Sequence, residues 1–362
     1  MSYEVVYTSS PSGLREGDRG FCTIAATTGI PRLLREKLES FSGYRHAFPA
    51  SSRRNPVNYC HRIVRIQGMP FFVLSRIADA GIDYSGRNNK IAHHLALSAA
   101  DVRSTKSTPC ALLGDPEFWF TEWSGEAKVL PAGRVPSARR SRGTDCGSWK
   151  SAFGDAGWAG VLAGAVQDDI EPVAVIVPNG TDALALVHEA MSLVPAGKRW
   201  QIGFSTYYTR STSGSECHWR FLLDGTEEAK ALRRDERSGI VVDPLNDHGL
   251  TEDDVFVEAA RSGDVSAIRK PASREGPAEE RLVASRPVTR SQIRRRQAGA
   301  RARRARLAAK ARPVYRRERE LPPLPPPESR SRRPAWVWWA VAAGVLAVSV
   351  VSFIIVWAIG SG

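Results

Sequence analysis

One segment, DYSGRNNKIAHH from Asp83 to His94, places several side chains that can do chemistry close together. Its cationic and amide groups can bind an anion, and its carboxyl and imidazole groups can exchange protons. The segment therefore predicts a site that binds an anionic substrate and transfers a proton. The candidate binding residues are Arg87, Asn88 and Lys90, and the candidate acid–base residues are His61, Asp83, His93 and His94.

The same segment also has a structural interpretation, which we favour. Asp and Asn side chains hydrogen-bond to nearby backbone groups and so stabilise turns. Adjacent histidines on a strand point to opposite faces, so at most one of His93 and His94 shares a face with any given partner. We therefore expect a turn, followed by one inward histidine that is buried and one outward histidine that is exposed.

The chain lacks the sequence motifs of several common nucleotide-binding, metal-binding and catalytic sites. It has no GxxxxGK[ST] sequence, which indicates that it is not itself a P-loop GTPase, and it has no GxGxxG, HExxH or GxSxG signature. Its five cysteines form no CxxC pair, which argues against a zinc site or a disulfide framework and favours reduced thiols in the cytoplasm. We therefore predict no metal and no cofactor, and favour a binding role over an enzymatic one.

The elements that must position these residues alternate between strands and helices. Residues 1–135 form the first half of the body, and a Gly-, Arg- and Ser-rich stretch separates it from the second half, residues 148–262. In the first half we predict strands at Glu4–Thr8, His61–Ile66 and Pro70–Ile77, a hairpin turn at Gln67–Met69, and a helix at Pro31–Ser40. The apolar run Lys90–Leu97 fits a strand or a helix equally well.

The second half predicts a helix–strand–helix unit that leads into a β-hairpin. Together with the first half, this pattern indicates a mixed α/β (α+β) fold. Either Thr181 or Asp182 should cap the second helix, and Thr251 should cap a final helix. The predicted helices are Gly157–Gln167, a helix that runs from the Thr181 or Asp182 cap to Leu193, and Glu252–Ser262. The predicted strands are Val173–Val177, Arg199–Thr209 and Cys217–Leu223.

Most of the positive charge is concentrated in one linker. Residues 281–333 contain 18 Lys and Arg but only 3 Asp and Glu, so the rest of the chain is almost neutral and the folded body is not predicted to bind nucleic acid. We expect residues 263–334 to form a disordered basic and proline-rich linker. Its Arg tract, Ser291–Arg312, can attract acidic lipid headgroups or nucleic acid, or can serve only to fix membrane orientation; of the two ligands we favour the lipid.

The last part of the sequence predicts a transmembrane helix at residues 335–360. Trp336–Ile359 is a stretch of 24 residues without a charge, and as a helix it would span about 36 Å, enough to cross a bilayer. The basic linker lies on its N-terminal side, so the positive-inside rule places the body in the cytoplasm and the C-terminus outside. We therefore predict a tail-anchored, single-pass protein of the cell inner membrane.

A series of short motifs runs in order through the body: Val6–Ser9 with Gly13-Leu14, Gly20–Cys22, Leu38–Tyr44, Asn55-Pro56, Leu74–Arg76, Gly81–Arg87, Lys90–His94, Trp200–Tyr207 and Cys217–Arg220. Together they resemble the N-terminal domain of bacterial GTPase-associated proteins, of the GTPase-associated protein 1 type, which are encoded beside small GTPases in predicted conflict systems. The resemblance covers about residues 3 to 245. It implies an association module whose partner is a small GTPase or another conflict-system protein.

Three hypotheses about function follow from these observations. The first is a membrane-tethered binding or adaptor module associated with a small GTPase. The second is an enzyme that acts on an anionic substrate at the Asp83–His94 loop, and the third is binding of nucleic acid or acidic lipid through the Arg tract. A cleft that gathers Asp83, Arg87, His61 and one of the adjacent histidines would favour the enzyme, whereas buried histidines would favour the module.

Overall fold

The computed structural model of the chain describes residues 1–138, 145–167, 172–209, 217–234, 240–246, 254–266 and 268. All of these residues belong to one compact unit, Met1–Leu282. Within this described part, no helix has the length and apolar character that crossing a membrane requires. The predicted linker lies outside the described residues except for its first few, and the predicted transmembrane helix lies wholly outside them.

Ten strands in the described residues form a single sheet in the order β10-β7-β9-β8-β3-β4-β5-β1-β2-β6. Both predicted halves of the body therefore contribute strands to the same sheet, which confirms a mixed α/β body. The strands are β1 (Tyr3–Ser10), β2 (Gly20–Thr27), β3 (Asn58–Ile66), β4 (Met69–Ile82), β5 (Asn88–Ser98), β6 (Lys128–Leu130), β7 (Val173–Val177), β8 (Phe204–Ser205), β9 (Trp219–Leu223) and β10 (Ile240–Val242).

The first half of the sheet is mainly antiparallel, and its hairpins follow from the sequence. Gln67 and Gly68 connect β3 to β4, and both have positive φ angles, 49° and 81°, as the two central residues of a tight type I′ hairpin turn require. The run Lys90–Leu97, for which the sequence left two choices, is a strand within β5. β5 pairs with β4 on one side and with β1 on the other, and both pairings are antiparallel.

The second half of the sheet is parallel, which corrects the predicted β-hairpin. β10, β7, β9 and β8 are parallel neighbours, and β8 joins the first half through an antiparallel pairing with β3. Of the predicted strand Arg199–Thr209 only Phe204–Ser205 is a strand, and its first three residues belong to a 3₁₀ helix, Ala196–Gln201. The Trp200 side chain anchors that helix in the core and donates from Nε1 to the Ser107 carbonyl at 2.8 Å.

Eight α-helices in the described residues cover the sheet, and two of their predicted caps can be compared with the structure. Asp182 caps α6 by accepting from the Ala185 amide at 3.0 Å, as expected. The final helix begins later than predicted and is capped by Asp254 rather than Thr251. The helices are α1 (Arg32–Ser40), α2 (Ala99–Thr105), α3 (Pro109–Leu113), α4 (Gly147–Phe153), α5 (Gly157–Gly164), α6 (Ala183–Leu193), α7 (Glu227–Arg234) and α8 (Val255–Ser262).

Both faces of the central sheet are covered. The main hydrophobic core lies on one face, where Leu74, Leu95 and Phe221 pack among residues from helices that include α4, α5 and α6. On the other face, α1 buries Leu34 and Leu38 against Val64, Val73 and Ala96 of the strands. The central strands are therefore buried on both sides and lack the simple apolar–polar alternation of a half-exposed sheet.

Candidate functional site

The turn between β4 and β5, residues 83–87, is organised around the Asp83 carboxylate. Its Oδ1 accepts hydrogen bonds from the Ser85 amide (2.8 Å), the Ser85 hydroxyl (2.7 Å) and the Arg87 amide (2.9 Å). Its Oδ2 accepts from the Ser9 hydroxyl (2.8 Å) and from Arg87 Nη2 (3.1 Å). Asp83 therefore fixes the shape of the turn and ties it to the end of β1.

The surroundings of Asp83 keep it ionised. Burial acts to raise its pKa, but the hydrogen bonds from the Arg87 and Ser85 amides and from the Ser85 and Ser9 hydroxyls outweigh that effect and hold the pKa far below its ordinary value. A carboxylate in this state cannot donate a proton near neutral pH. The arrangement matches the structural interpretation of Asp83 rather than a general acid.

Three large side chains at or beside this turn are exposed. Ile82 and Tyr84 are 54 % and 55 % exposed, and the Arg87 side chain is 59 % exposed although it pairs with Asp83. We call the surface formed by Ile82, Tyr84 and Arg87 the hairpin tip. It combines apolar, aromatic and cationic groups on a backbone that Asp83 holds in one conformation.

The remaining candidate binding residues lie beside the tip but differ in their exposure. Asn88 is exposed at the start of β5 and pairs with Ile82 across the hairpin. The Lys90 side chain is half-buried, with Nζ at 4.9 Å from the ring centroid of Phe21, and burial lowers its pKa. Lys90 therefore packs its ammonium group against an aromatic ring.

Asn89 also organises this region, through the backbone hydrogen bonds expected of Asp and Asn in this segment, although it was not among the candidate binding residues. Its Oδ1 accepts from the Ser9 amide (3.1 Å) and the Lys90 amide (2.8 Å). Asn89 and Asp83 thus hold Ser9 from two sides, which fastens the hairpin to β1. The polar residues between Asp83 and Lys90 were the only sequence signal of this role. They predict hydrogen bonds to backbone groups but do not identify β1 as the strand that is contacted.

The three candidate histidines are all fully buried, and each is engaged by protein groups. His93 Nε2 lies 2.9 Å from a carboxylate oxygen of Glu4, and its Nδ1 accepts from the Phe120 amide at 3.2 Å. His61 Nδ1 lies 2.8 Å from the Ile202 carbonyl, to which it donates. Burial lowers the pKa of both rings, that of His61 to about 4, so both are neutral near pH 7.

His94 points to the opposite face of the sheet from His93. Its two ring nitrogens contact the hydroxyls of Ser75 (2.8 Å) and Ser42 (2.9 Å), and burial lowers its pKa well below the ordinary value. The expectation that one of the two adjacent histidines is exposed is therefore wrong. The reason is that both faces of β5 are covered, so the alternation of side chains brings both rings into the interior.

A cleft of about 830 Å³ opens next to the hairpin tip. Its lining includes Ser9, Asp83 and Tyr84 from the region of the tip, and Arg76 and Trp123 from the opposite side. None of the three candidate histidines lines it. The cleft thus brings Asp83 together with other polar side chains but not with a histidine from the predicted acid–base set.

A second hydrogen-bonded group on the wall of this cleft was missed by the sequence reasoning. Asp79 accepts from Asn55 Nδ2 (2.8 Å), the Gly81 amide (2.8 Å) and His46 Nε2 (3.2 Å). Burial acts to raise the pKa of Asp79, but these three hydrogen bonds outweigh it and leave the pKa lowered. Asp79 therefore anchors the segment that contains His46 and Asn55 to β4, and it is no more available for proton transfer than Asp83.

The described residues contain neither a metal-binding cluster nor a cysteine in an environment that favours the reactive thiolate. They contain no group of three His, Cys, Asp or Glu side chains that could hold a metal ion. All five cysteines are free, and four of them are buried. Burial raises the pKa of Cys110 to about 11 and that of Cys217 to about 12, which disfavours the nucleophilic thiolate.

Comparison with known proteins identifies both halves of this body. Residues 1–136 match the family model for GTPase-associated protein 1, N-terminal domain type 2, and residues 146–246 match that for GTPase-associated protein 1, middle domain. No curated protein and no solved structure matches the chain. The two models together cover more than half of the sequence, and their order agrees with the resemblance of the motifs, so the chain belongs to the GTPase-associated protein 1 family.

Proposed function

We propose that this chain is a membrane-tethered adaptor that associates with a small GTPase through the hairpin tip. The observation that carries the proposal is the match of residues 1–136 and 146–246 to two domains of GTPase-associated protein 1, a family whose name implies association with a GTPase. The chain has no P-loop motif of its own. In this proposal the GTPase is a separate protein.

The hairpin tip has the composition of an interface anchor. Tyr and Arg are among the residues that most often dominate binding energy at protein–protein interfaces, and the tip exposes Tyr84 and Arg87 together with the apolar Ile82. The hydrogen bonds to Asp83 fix the backbone beneath them. Because the loop is already ordered, binding there loses less conformational entropy than binding through a flexible loop.

The tethering part of the proposal rests on the sequence of the last residues. Trp336–Ile359 is uncharged and long enough to span a bilayer, and it follows the Arg-rich linker. This arrangement supports a single-pass protein of the inner membrane with its body in the cytoplasm, where the linker meets acidic headgroups. An adaptor built this way would bring its GTPase to the membrane surface within a conflict system.

The positions of the histidines favour the adaptor over the enzyme. His61, His93 and His94 are each fully buried and none borders the cleft. A general acid or base must come within hydrogen-bonding reach of its substrate. The Asp83–His94 segment therefore offers a surface for recognition, with its imidazole groups used in packing.

The test measures binding of the purified full chain to the small GTPase encoded beside it, loaded with GDP or with a non-hydrolysable GTP analogue. We expect one nucleotide state to bind more tightly, and the double variant Tyr84→Ala/Arg87→Ala to weaken that binding about tenfold or more. Met69→Ala is the control, because Met69 is 64 % exposed at the other end of β4. Absence of binding in both states would refute the association, and full binding by the double variant would exclude the tip.

A further inference from the structure

A second cavity lies where two parallel strands of the sheet end. β7 ends at Val177 and β9 at Leu223, and the Asp224 amide donates to the Val177 carbonyl at 2.8 Å, which holds the two strand ends together. Both end residues line the cavity, whose volume is about 350 Å³. We call this cavity the strand-end crevice, and its volume lies within the range of small-molecule sites, about 300–1,000 Å³.

The connections that leave β7 and β9 go to opposite faces of the sheet. After β7 the chain enters α6, where Leu186 and Val187 pack into the main core. After β9 it enters α7, where Ala229 packs on the other face against Ala174 and Leu222. In open α/β sheets, ligands bind outside the carboxyl ends of the strands at such a reversal of direction. The crevice therefore lies at the carboxyl ends of the parallel strands, the position at which open α/β sheets bind their ligands.

The walls of the crevice combine an apolar side with a cationic side. Tyr59, Leu184 and Pro56 contribute apolar surface, and Arg53 and Arg54 contribute positive charge. Neither arginine forms an ion pair with a carboxylate in the part of the chain that the structure describes. The Arg54 guanidinium lies 4.0 Å from the ring centroid of Phe48, which restricts its orientation.

One carboxylate, that of Asp182, also lines the crevice and must be weighed against the two arginines. Asp182 caps α6 by accepting from the Ala185 amide at 3.0 Å. Its negative charge therefore offsets the partial positive charge at the N-terminus of that helix. Arg53 and Arg54 line the crevice from a different segment, which belongs to the first half of the body. With two cations against one carboxylate that is already engaged, the crevice favours an anionic group.

We infer that the strand-end crevice binds a phosphorylated small molecule of about mononucleotide size. Its phosphate pairs with Arg53 and Arg54, whose planar guanidinium groups suit phosphate oxygens, and its apolar portion lies against Tyr59 and Leu184. The volume is sufficient for one such molecule and too small for a macromolecule. Arg53 also lines the cleft beside the hairpin tip, but none of the three tip residues lines the crevice, and the inference does not depend on the GTPase association.

The experiment measures the melting temperature and the calorimetric affinity of the purified full chain with GMP, GDP, AMP and ADP. Guanosine, adenosine and inorganic phosphate at the same concentrations are the matched probes. We expect at least one nucleotide to bind and to raise the melting temperature, and the corresponding nucleoside and inorganic phosphate to bind at least tenfold more weakly. Arg53→Ala/Arg54→Ala should weaken nucleotide binding about tenfold or more, because it removes charge-assisted hydrogen bonds.

Two further variants keep the result specific to the crevice. Asn179→Trp places a large side chain at the exposed turn after β7 and should block binding. Arg103→Ala changes an exposed arginine of α2, which does not line the crevice, and should leave binding unchanged. Each variant should melt at the temperature of the unaltered chain when no nucleotide is present, and GTPase binding should persist in the double arginine variant. The inference is overturned if no nucleotide binds, if a nucleoside or phosphate alone binds as tightly, or if the arginine variant keeps full affinity.

Discussion

His93 and Glu4 form a buried pair that links β5 to β1, with 2.9 Å between Nε2 and the carboxylate. His93 Nδ1 accepts from the Phe120 amide, so the ring carries its proton on Nε2 and donates it to Glu4. The same carboxylate lies 3.3 Å from Arg134 Nη1. The pair thus links two strands and holds both ends of the segment from Phe120 to Arg134, one through His93 and the other through Glu4, so a histidine that looked catalytic in the sequence serves to hold the fold together.

We expect Glu4→Ala to lower the free energy of unfolding by about 3 kcal/mol or more, since it leaves a buried imidazole N–H and a half-buried guanidinium without their partner. Glu4→Gln keeps an acceptor for His93 and should cost less. Urea denaturation of the chain without residues 336–362 measures both. Glu16→Ala, at an exposed position, should stay within about 0.5 kcal/mol; equal losses for Glu16 and Glu4 would contradict the assigned role of the pair.

Removal of residues 336–362 should move the protein from the membrane to the soluble fraction with its body folded. The ten-stranded sheet and its cores are built from residues that precede this segment, so nothing in the described fold requires it. Fractionation followed by circular dichroism of the soluble protein is the measurement. Aggregation of the truncated chain, or its retention in the membrane fraction, would show that the segment belongs to the fold or that a second anchor exists.

Stability should fall as the pH is lowered from 7 to 4. Burial lowers the pKa of His61 from its ordinary 6.5 to about 4, and it also lowers the pKa values of His93 and His94. A histidine with a lowered folded-state pKa contributes its full stability above about pH 6.5, and the unfolded state gains by binding protons first as the pH falls. For His61 alone the loss by pH 4 is on the order of 2–3 kcal/mol.

His61→Phe provides the specific test of this pH dependence. The Nε2 atom of His61 has no hydrogen-bond partner among the described residues, so protonation there would bury an unsatisfied charged donor. The variant should be less stable at pH 7, because the Ile202 carbonyl loses its donor, yet its stability should fall less between pH 7 and pH 4. An unchanged pH profile in urea denaturation would mean that His61 does not contribute to acid sensitivity.

Arg87→Ala should leave stability within about 0.5 kcal/mol of the unaltered chain, because the side chain is largely exposed and Asp83 keeps its other hydrogen bonds. Asp83→Ala should clearly lower the melting temperature, since the Ser85 and Arg87 amides lose their acceptor. Thermal melts of the two variants decide between these expectations. Equal destabilisation by both would place Arg87 in the structure of the turn and remove it from the proposed interface.

The local elements could be predicted where a short signal determines the backbone. Three such elements depend only on a few neighbouring residues, and the structure has each of them. They are the turn at Gln67-Gly68, the helix that starts after Pro31 and the Asp182 cap. β5 could not be assigned from its pattern. Because both of its faces are buried, its sequence reads as a continuous apolar run interrupted by two histidines.

The sites depend on contacts that no local pattern encodes. Asp79 meets His46 and Asn55 only because β4 runs beneath the segment that carries them, and Arg53 reaches the strand-end crevice from a segment about 120 residues away in sequence from Val177. The predicted hairpin in the second half failed for a related reason. Two neighbouring strand-like segments suggested an antiparallel pair. β8 and β9 do lie side by side, but they run parallel, and β8 pairs in the antiparallel direction with β3 on its other side.

β8 is only two residues long, yet it joins the antiparallel and parallel parts of the sheet. Phe204 and Ser205 pair with β3 on one side and β9 on the other, and the Thr206 amide adds a bond to the Tyr59 carbonyl at 3.0 Å. If the two family domains were expressed separately, each would expose an unpaired strand at this boundary, and such edges recruit other chains. The N-terminal and middle domains should therefore fold and unfold as one cooperative unit.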